Sequence, residues 1–243
     1  MRRRSRVLTG VAIAVVVVAG GLVVADVGLR SFAEGQVRRA MLDRLPSNVT
    51  GDVTVQIGGW SFLEQYASGT FDEVTLTGAG LAVDGTPLQA KVVANGVSTD
   101  QSKPVPRIAA TLTLDEAAVN RFLSIPGSNS ITLGDGTVGY QGSVSVLGLS
   151  FGYDATATAT PSGADVLLTP VNAKLSAGSA SFDVSGALKA VVAKPISICV
   201  AKYLPPRVEI TGITPSPGQV TVDATATNLV LSAASLSATG SCG

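Results

Sequence analysis

Val220-Thr221-Val222-Asp223-Ala224-Thr225-Ala226-Thr227 alternates apolar and polar residues at every step. A period of two puts the valines and alanines on one face of an extended strand and the threonines and Asp223 on the other. The same alternation occurs upstream, where Val53, Val55 and Ile57 are set against Asp52, Thr54 and Gln56, and Val74 and Leu76 against Glu73, Thr75 and Thr77. Further extended stretches fit residues 87–97, 105–112, 137–146, 149–160 and 164–175. Asp84-Gly85, Asn95-Gly96 and Asp135-Gly136 supply turn chemistry between strands. The body is therefore expected to be α+β, with a large, mostly antiparallel sheet rather than an alternating βαβ unit. Ala155, Ala157, Ala159, Ala224 and Ala226 leave one face of that sheet open to close approach by a helix or an acyl chain.

Three helices are expected around the sheet. Leu29, Ala33, Val37, Met41 and Leu45 recur every four residues, with Phe32 and Ala40 widening the stripe, and Glu34–Arg38 and Arg39–Asp43 form i,i+4 pairs on the polar side. Thr113-Leu114-Asp115-Glu116 reads as a capping box with Thr113 as N-cap, ahead of a helix that Pro126-Gly127 stops. A long helix is expected over residues 185–204, kinked at Pro195, with Leu188, Val191, Val192, Ile196, Cys199, Val200, Tyr203 and Leu204 at helical spacing.

Ahead of all this, residues 7–25 carry no charge and follow Arg2, Arg3, Arg4 and Arg6. Roughly 20 apolar residues suffice to cross a bilayer as a helix, and the preceding arginines hold that end in the cytoplasm. Residues 1–25 are thus a signal peptide, with small residues placed for cleavage near Val23-Val24-Ala25, or an uncleaved anchor. Residues 26–243 then form a domain on the outer side of the cytoplasmic membrane, in the cell envelope.

Composition narrows the chemistry. Lys+Arg 17 balances Asp+Glu 17, so no polyanionic partner such as nucleic acid is implied. Charged residues are only 14%, against the about 25% of an ordinary soluble domain, so the body must bury apolar surface, line an apolar cavity or lie near lipid. There is no histidine, which removes the usual general base, the commonest metal ligand and the Ser–His–Asp triad. No catalytic residue, metal site or cofactor is expected. Cys199 and Cys242 are the two cysteines, and in an oxidising compartment they read as a disulfide contributing about 4 kcal/mol on the chain-entropy model.

Tempting motifs have simpler explanations. Gly148-Leu149-Ser150-Phe151-Gly152 has the spacing of a nucleophile elbow, yet a strand pattern follows it and no histidine exists. Gly134-Asp135-Gly136-Thr137-Val138-Gly139 has dinucleotide-loop spacing but no helix after it, and fits a hairpin turn. Asp72-Glu73 and Asp115-Glu116 are the carboxylate pairs, explained by a solvated strand edge and a helix start. Between two strands, Trp60, Phe62, Leu63 and Tyr66 fall within seven positions. Such a segment is either a membrane-facing or entry loop or a plug folded back into the core.

On these residues the chain resembles the actinobacterial LmeA-like phospholipid-binding family. The resemblance rests on the order of parts: an N-terminal membrane segment, a helix, a strand ending in Gly58-Gly59-Trp60-Ser61-Phe62-Leu63, then Gly69-Thr70-Phe71-Asp72-Glu73-Val74 opening the next strand. The helix over 112–123 follows, and a late helix runs into Leu204-Pro205-Pro206-Arg207-Val208-Glu209-Ile210. Where the family commonly has proline before the Phe-Leu pair, this chain has Ser61. The resemblance implies a tubular-lipid-binding (TULIP-like) fold, in which a curved sheet wraps the long helix of the C-terminal half. It also implies non-enzymatic phospholipid binding and a link to envelope glycolipid (lipomannan-type) synthesis or lipid transfer.

The expected site is a groove between sheet and late helix, with acyl chains against Leu188, Val192, Ile196 and Val200. Lys189, Lys194, Lys202 and Arg207 are the candidates for an anionic head group, though a solvated helix face accounts for any one of them singly. The partners expected are phospholipid, the membrane surface and envelope glycolipid machinery. A scaffolding envelope domain with a packed interior and no lipid is the alternative.

Overall fold

The computed structural model describes residues 2–43, 45, 47–122, 128–146, 149–163, 165–177, 180–183, 196–201, 204–232, 235 and 238–241, with side chains from residue 20 onward in the first helix. That helix, α1, runs Arg2–Leu42, about 60 Å at 1.5 Å per residue, and joins the uncharged run to the amphipathic stretch without a break. Among the described residues no helix is long and apolar enough to cross a membrane. Most of the uncharged run lies ahead of residue 20, outside the described side chains.

Two antiparallel sheets stand where the sequence suggests one. The first holds β1 (Val49–Thr50), β2 (Thr54–Ile57), β3 (Thr70–Val83), β4 (Thr86–Ser98), β5 (Val105–Asp115), β12 (Val208–Ser216) and β13 (Gln219–Leu229), in the order β1-β3-β4-β5-β13-β12, with β2 also pairing β3. The second holds β6 (Ser128–Gly134), β7 (Thr137–Val146), β8 (Leu149–Ser162), β9 (Asp165–Ala177), β10 (Ala180–Asp183) and β11 (Ile196–Cys199), in the order β10-β9-β8-β7-β6, with β11 pairing β9. The strand over 219–229 sits between β5 and β12, with Val222 opposite Leu112 and Ile213.

β12 is the seam between the sheets. Ile210 N donates to Gly163 O at the end of β8 (3.0 Å), and Gly136 N donates to Pro215 O (3.1 Å). Gly218 N, in the β12–β13 turn, donates to Leu133 O (3.1 Å). Ala155 and Ala157 on β8 are buried, as is Ala226 on β13. Two apolar clusters result. Ala94, Val105, Ile108, Ala226 and Leu229 fill one end of the first sheet, and Val119, Ile131, Leu133 and Val220 fill the junction.

Four sequence expectations need correction. The helix expected over 185–204 is not a helix where it is described: Ile196–Cys199 is strand β11, with Ile196 opposite Leu168 and Cys199 opposite Asp165. Pro195 lacks the N–H that an α-helix interior needs, and the β-branched Ile196 and Ile198 favour an extended backbone. Asn95-Gly96 lies inside β4 rather than in a turn. Gly96 has φ +71, and a Cβ there would come within 3.1 Å of Pro106 on the neighbouring strand. Thr113 is part of β5, opposite Gln89 and Thr221, so it cannot cap. The cap of α3 (Glu116–Phe122) comes from Asp115, whose Oδ1 accepts from Ala118 N at 2.7 Å. Fourth, the apolar stripe of α1 is only half covered, with Leu29, Phe32 and Val37 exposed.

The expected hairpin turn at Gly134–Gly139 is present between β6 and β7, and Ser150 lies within strand β8. α3 shields the edge strand β6: Asn120 exchanges two 2.7 Å hydrogen bonds with Ile131, and Glu116 Oε2 accepts from Leu133 N at 2.8 Å. Replacing Asp115 by alanine should cost about 1 kcal/mol through loss of this cap. Urea denaturation should show it as a lower midpoint with an unchanged slope.

Candidate functional site

Asp26, Arg30, Glu34 and Arg38 are spaced four apart and line one face of α1. Each engages a successive piece of the segment from Asp52 to Leu63. Arg38 pairs with Asp52 (Nη2–Oδ2, 2.6 Å) and donates through Nε to Val53 O. Glu34 Oε1 accepts from Ile57 N at 2.8 Å. Arg30 Nη2 donates to Gly59 O (3.1 Å) and Trp60 O (3.4 Å). Asp26 Oδ1 accepts from Ser61 Oγ (2.7 Å) and from Leu63 N (2.9 Å). A polar stripe therefore docks the helix, which is why part of the apolar stripe beside it stays in solvent.

The Gly58–Gly69 segment is built to send some aromatics inward and others outward. Gly59 has φ +89, and a Cβ there would lie within 2.5 Å of Gln65 Nε2. Glycine lets that buried amide reach Gly58 O and Ser61 O, both at 3.0 Å, while its Oε1 accepts from Asp72 N at 2.7 Å. Ser61 caps α2 (Phe62–Ser68) by accepting from Glu64 N, and its hydroxyl also reaches Asp26. Phe62 is buried and stacks between Tyr66 and Phe71, at ring-centroid distances of 6.1 and 5.6 Å. Trp60 is 95% exposed and Tyr66 63%. Leu63 is half-buried. The segment divides residue by residue: Phe62 folds inward, and Trp60 and Tyr66 face outward.

Of the expected groove residues, Leu188 and Val192 lie outside the described residues, as do the head-group candidates Lys189, Lys194 and Lys202. Ile196 belongs to β11 and Val200 follows it, half-buried, so these two do not share a helix face. Cys199 has no free thiol; Cys242 lies outside the described residues. The carboxylate pairs are accounted for. Asp72 and Glu73 are consecutive in β3 and point to opposite faces, and Asp115 and Glu116 make the α3 contacts above.

Arg207 lines a pocket of about 620 Å³ with Pro104, Pro206, Asn228, Leu229, Val230, Ser235 and Ala238. Val208 N donates to Pro205 O at 3.2 Å, closing a turn with Pro206 and Arg207 at its centre. Arg207 has φ +72, so this is the type II arrangement, whose third residue is ordinarily glycine. Asn228, across the pocket, also has a positive φ, +50. An arginine in the left-handed region costs about 1 kcal/mol relative to glycine. Its Nη1 donates to Asn228 O at a long 3.4 Å.

Sequence reading missed Asp26, Arg30 and Gln65. The charges at 26, 30, 34 and 38 were a visible signal, since four charged residues at i,i+4 form a continuous line on one helix face. Gln65 carries no such pattern; only folding brings it beneath Gly59.

The chain belongs to the LmeA-like phospholipid-binding family, which matches residues 24–225. Neither a curated protein nor a solved structure matches it.

Two outcomes test the corner. Leu63 N–H foremost, then the Ser61 hydroxyl and the Phe62 N–H, hold the Asp26 carboxyl below its usual range, helped by Arg30. A depressed folded value means this contribution is complete above the unfolded pKa of about 3.9 and is lost as pH falls through the folded one. The amide protection factor at Leu63 should therefore fall below about pH 4, and in Asp26→Ala it should be low and flat already at pH 6. Gly59→Ala should destabilise the domain by more than about 1 kcal/mol, since it meets both the positive φ and Gln65; thermal unfolding reads this directly.

Proposed function

We propose that this chain is a non-enzymatic phospholipid-binding protein, tethered by residues 1–25 and working on the outer side of the cytoplasmic membrane. One observation supports this reading above the others. Trp60, almost fully exposed, is held by Arg30 about one helical turn beyond the end of the uncharged run at Ala25. Tryptophan and tyrosine favour the bilayer interface, where an amphipathic ring has apolar and wet surroundings at once. The continuous α1 backbone would place Trp60 and Tyr66 in that layer whenever residues 7–25 cross the hydrocarbon.

Family membership supports phospholipid as the ligand. Transfer of lipid, or support of envelope glycolipid synthesis, is the role we assign to it. Each methylene withdrawn from water would contribute about 0.8 kcal/mol to holding an acyl chain. An oxidising envelope compartment also suits a Cys199–Cys242 disulfide, for which peptide mapping without reductant should return one linked pair.

Phospholipid should co-purify with the full chain and be recovered by organic extraction and mass spectrometry. Chain that carries no phospholipid and binds no liposomes would favour a scaffolding domain instead. Trp60 is the sole tryptophan. In nanodiscs its emission should shift to the blue and be quenched by lipids brominated near the head group; a fully aqueous, unquenched Trp60 would remove the corner from the membrane.

A further inference from the structure

The Arg207 pocket and the Trp60 corner open at the same end of the first sheet. β3 begins there at Thr70, and Gly69 O accepts from Thr99 N at 3.0 Å. The segment from Thr99 then leads to Pro104 in the pocket wall, just before β5 begins at Val105. Val105 is opposite Leu229, so the end of β13 and the turn before β12 complete the mouth. Three strand steps separate β3 from β13, roughly 15 Å at the usual spacing. The Trp60 segment and the pocket therefore share one end of the first sheet.

The lining has the composition of a site for a charged head on an apolar stem. Pro104, Pro206, Leu229 and Val230 supply apolar wall, and among the described lining residues Arg207 is the one that carries a charge. Among the described residues its guanidinium makes a single long hydrogen bond, to Asn228 O, out of five N–H donors. The fork geometry of those donors matches two oxygens of a phosphate. The volume, about 620 Å³, falls among small-ligand pockets. The turn would be more relaxed with glycine at this place, so the backbone strain is met where the guanidinium is needed.

We propose that this pocket takes the phosphate and the first carbons of a phospholipid, with Arg207 as the phosphate ligand and the tails left toward the membrane. The assignment rests on the phospholipid-binding reading above. It separates binding from stability in an unusual way, because Arg207→Gly removes the cation while relieving the turn.

The full chain, held in amphipol, is titrated with dihexanoyl-phosphatidylglycerol, with dihexanoylglycerol and with inorganic phosphate. Arg207→Gly and Arg207→Gln should bind the phosphatidylglycerol at least about tenfold more weakly, and Arg207→Lys, which keeps the charge but loses the fork, should fall between them and the parent chain. Arg207→Gly should melt about 2 °C higher than the parent chain. Dihexanoylglycerol and free phosphate should each bind more weakly than the whole lipid. Arg207→Gly that binds like the parent, or free phosphate that binds as tightly as the lipid, would overturn the pocket while leaving phospholipid binding intact. A parent chain that neither carries phospholipid nor binds phosphatidylglycerol would overturn the underlying reading itself.

Discussion

The direction in which α1 leaves the sheets depends on one carboxylate. Asp26 collects the Ser61 hydroxyl and the Leu63 N–H, tying the helix to the start of α2. Arg30, Glu34 and Arg38 repeat the attachment at each following turn. These contacts are directional, unlike apolar packing, so they set the rotation of the helix as well as its position. Trp60 and Tyr66 project from the attached corner, and their orientation relative to residues 7–25 follows from it.

A second constraint organises the body. β12 has to meet both sheets, through Ile210 on Gly163 and through the β12–β13 turn on Leu133. Ala155 and Ala157 in the second sheet and Ala226 in the first are buried small residues. The chain is thus held together by hydrogen-bonded seams and small clusters of valine, leucine and isoleucine, in keeping with its low content of aromatic residues, 5%. The pocket sits beside the cluster of Ala94, Val105, Ile108, Ala226 and Leu229, and Leu229 belongs to both.

Strands were the most legible part of this protein. Residues 137–146 form β7 with the bounds the alternation implies, and the 219–229 strand has its valines and threonines on opposite faces as read. Asp84-Gly85 joins β3 to β4 with both residues at positive φ, as two-residue hairpins require. Helices were less legible. Apolar spacing at 196, 199 and 200 fits a helix as well as a short buried strand, and Pro195 decided against the helix at Ile196. In α1 the apolar stripe suggested the buried face, while the charged stripe beside it found its partners 14 to 37 residues further along the chain.

The sequence by itself determined the β-rich body, the hairpin turns at Gly85 and Gly136, the freedom from histidine chemistry and the family, because alternation, turn residues and composition act locally and survive without knowledge of the partner. Tertiary structure alone decided that two sheets form rather than one, that Gln65 underlies Gly59, and that Arg207 and Asn228 face a shared pocket. Those outcomes depend on which distant backbone donors and acceptors meet, and a linear pattern of side chains does not encode that pairing.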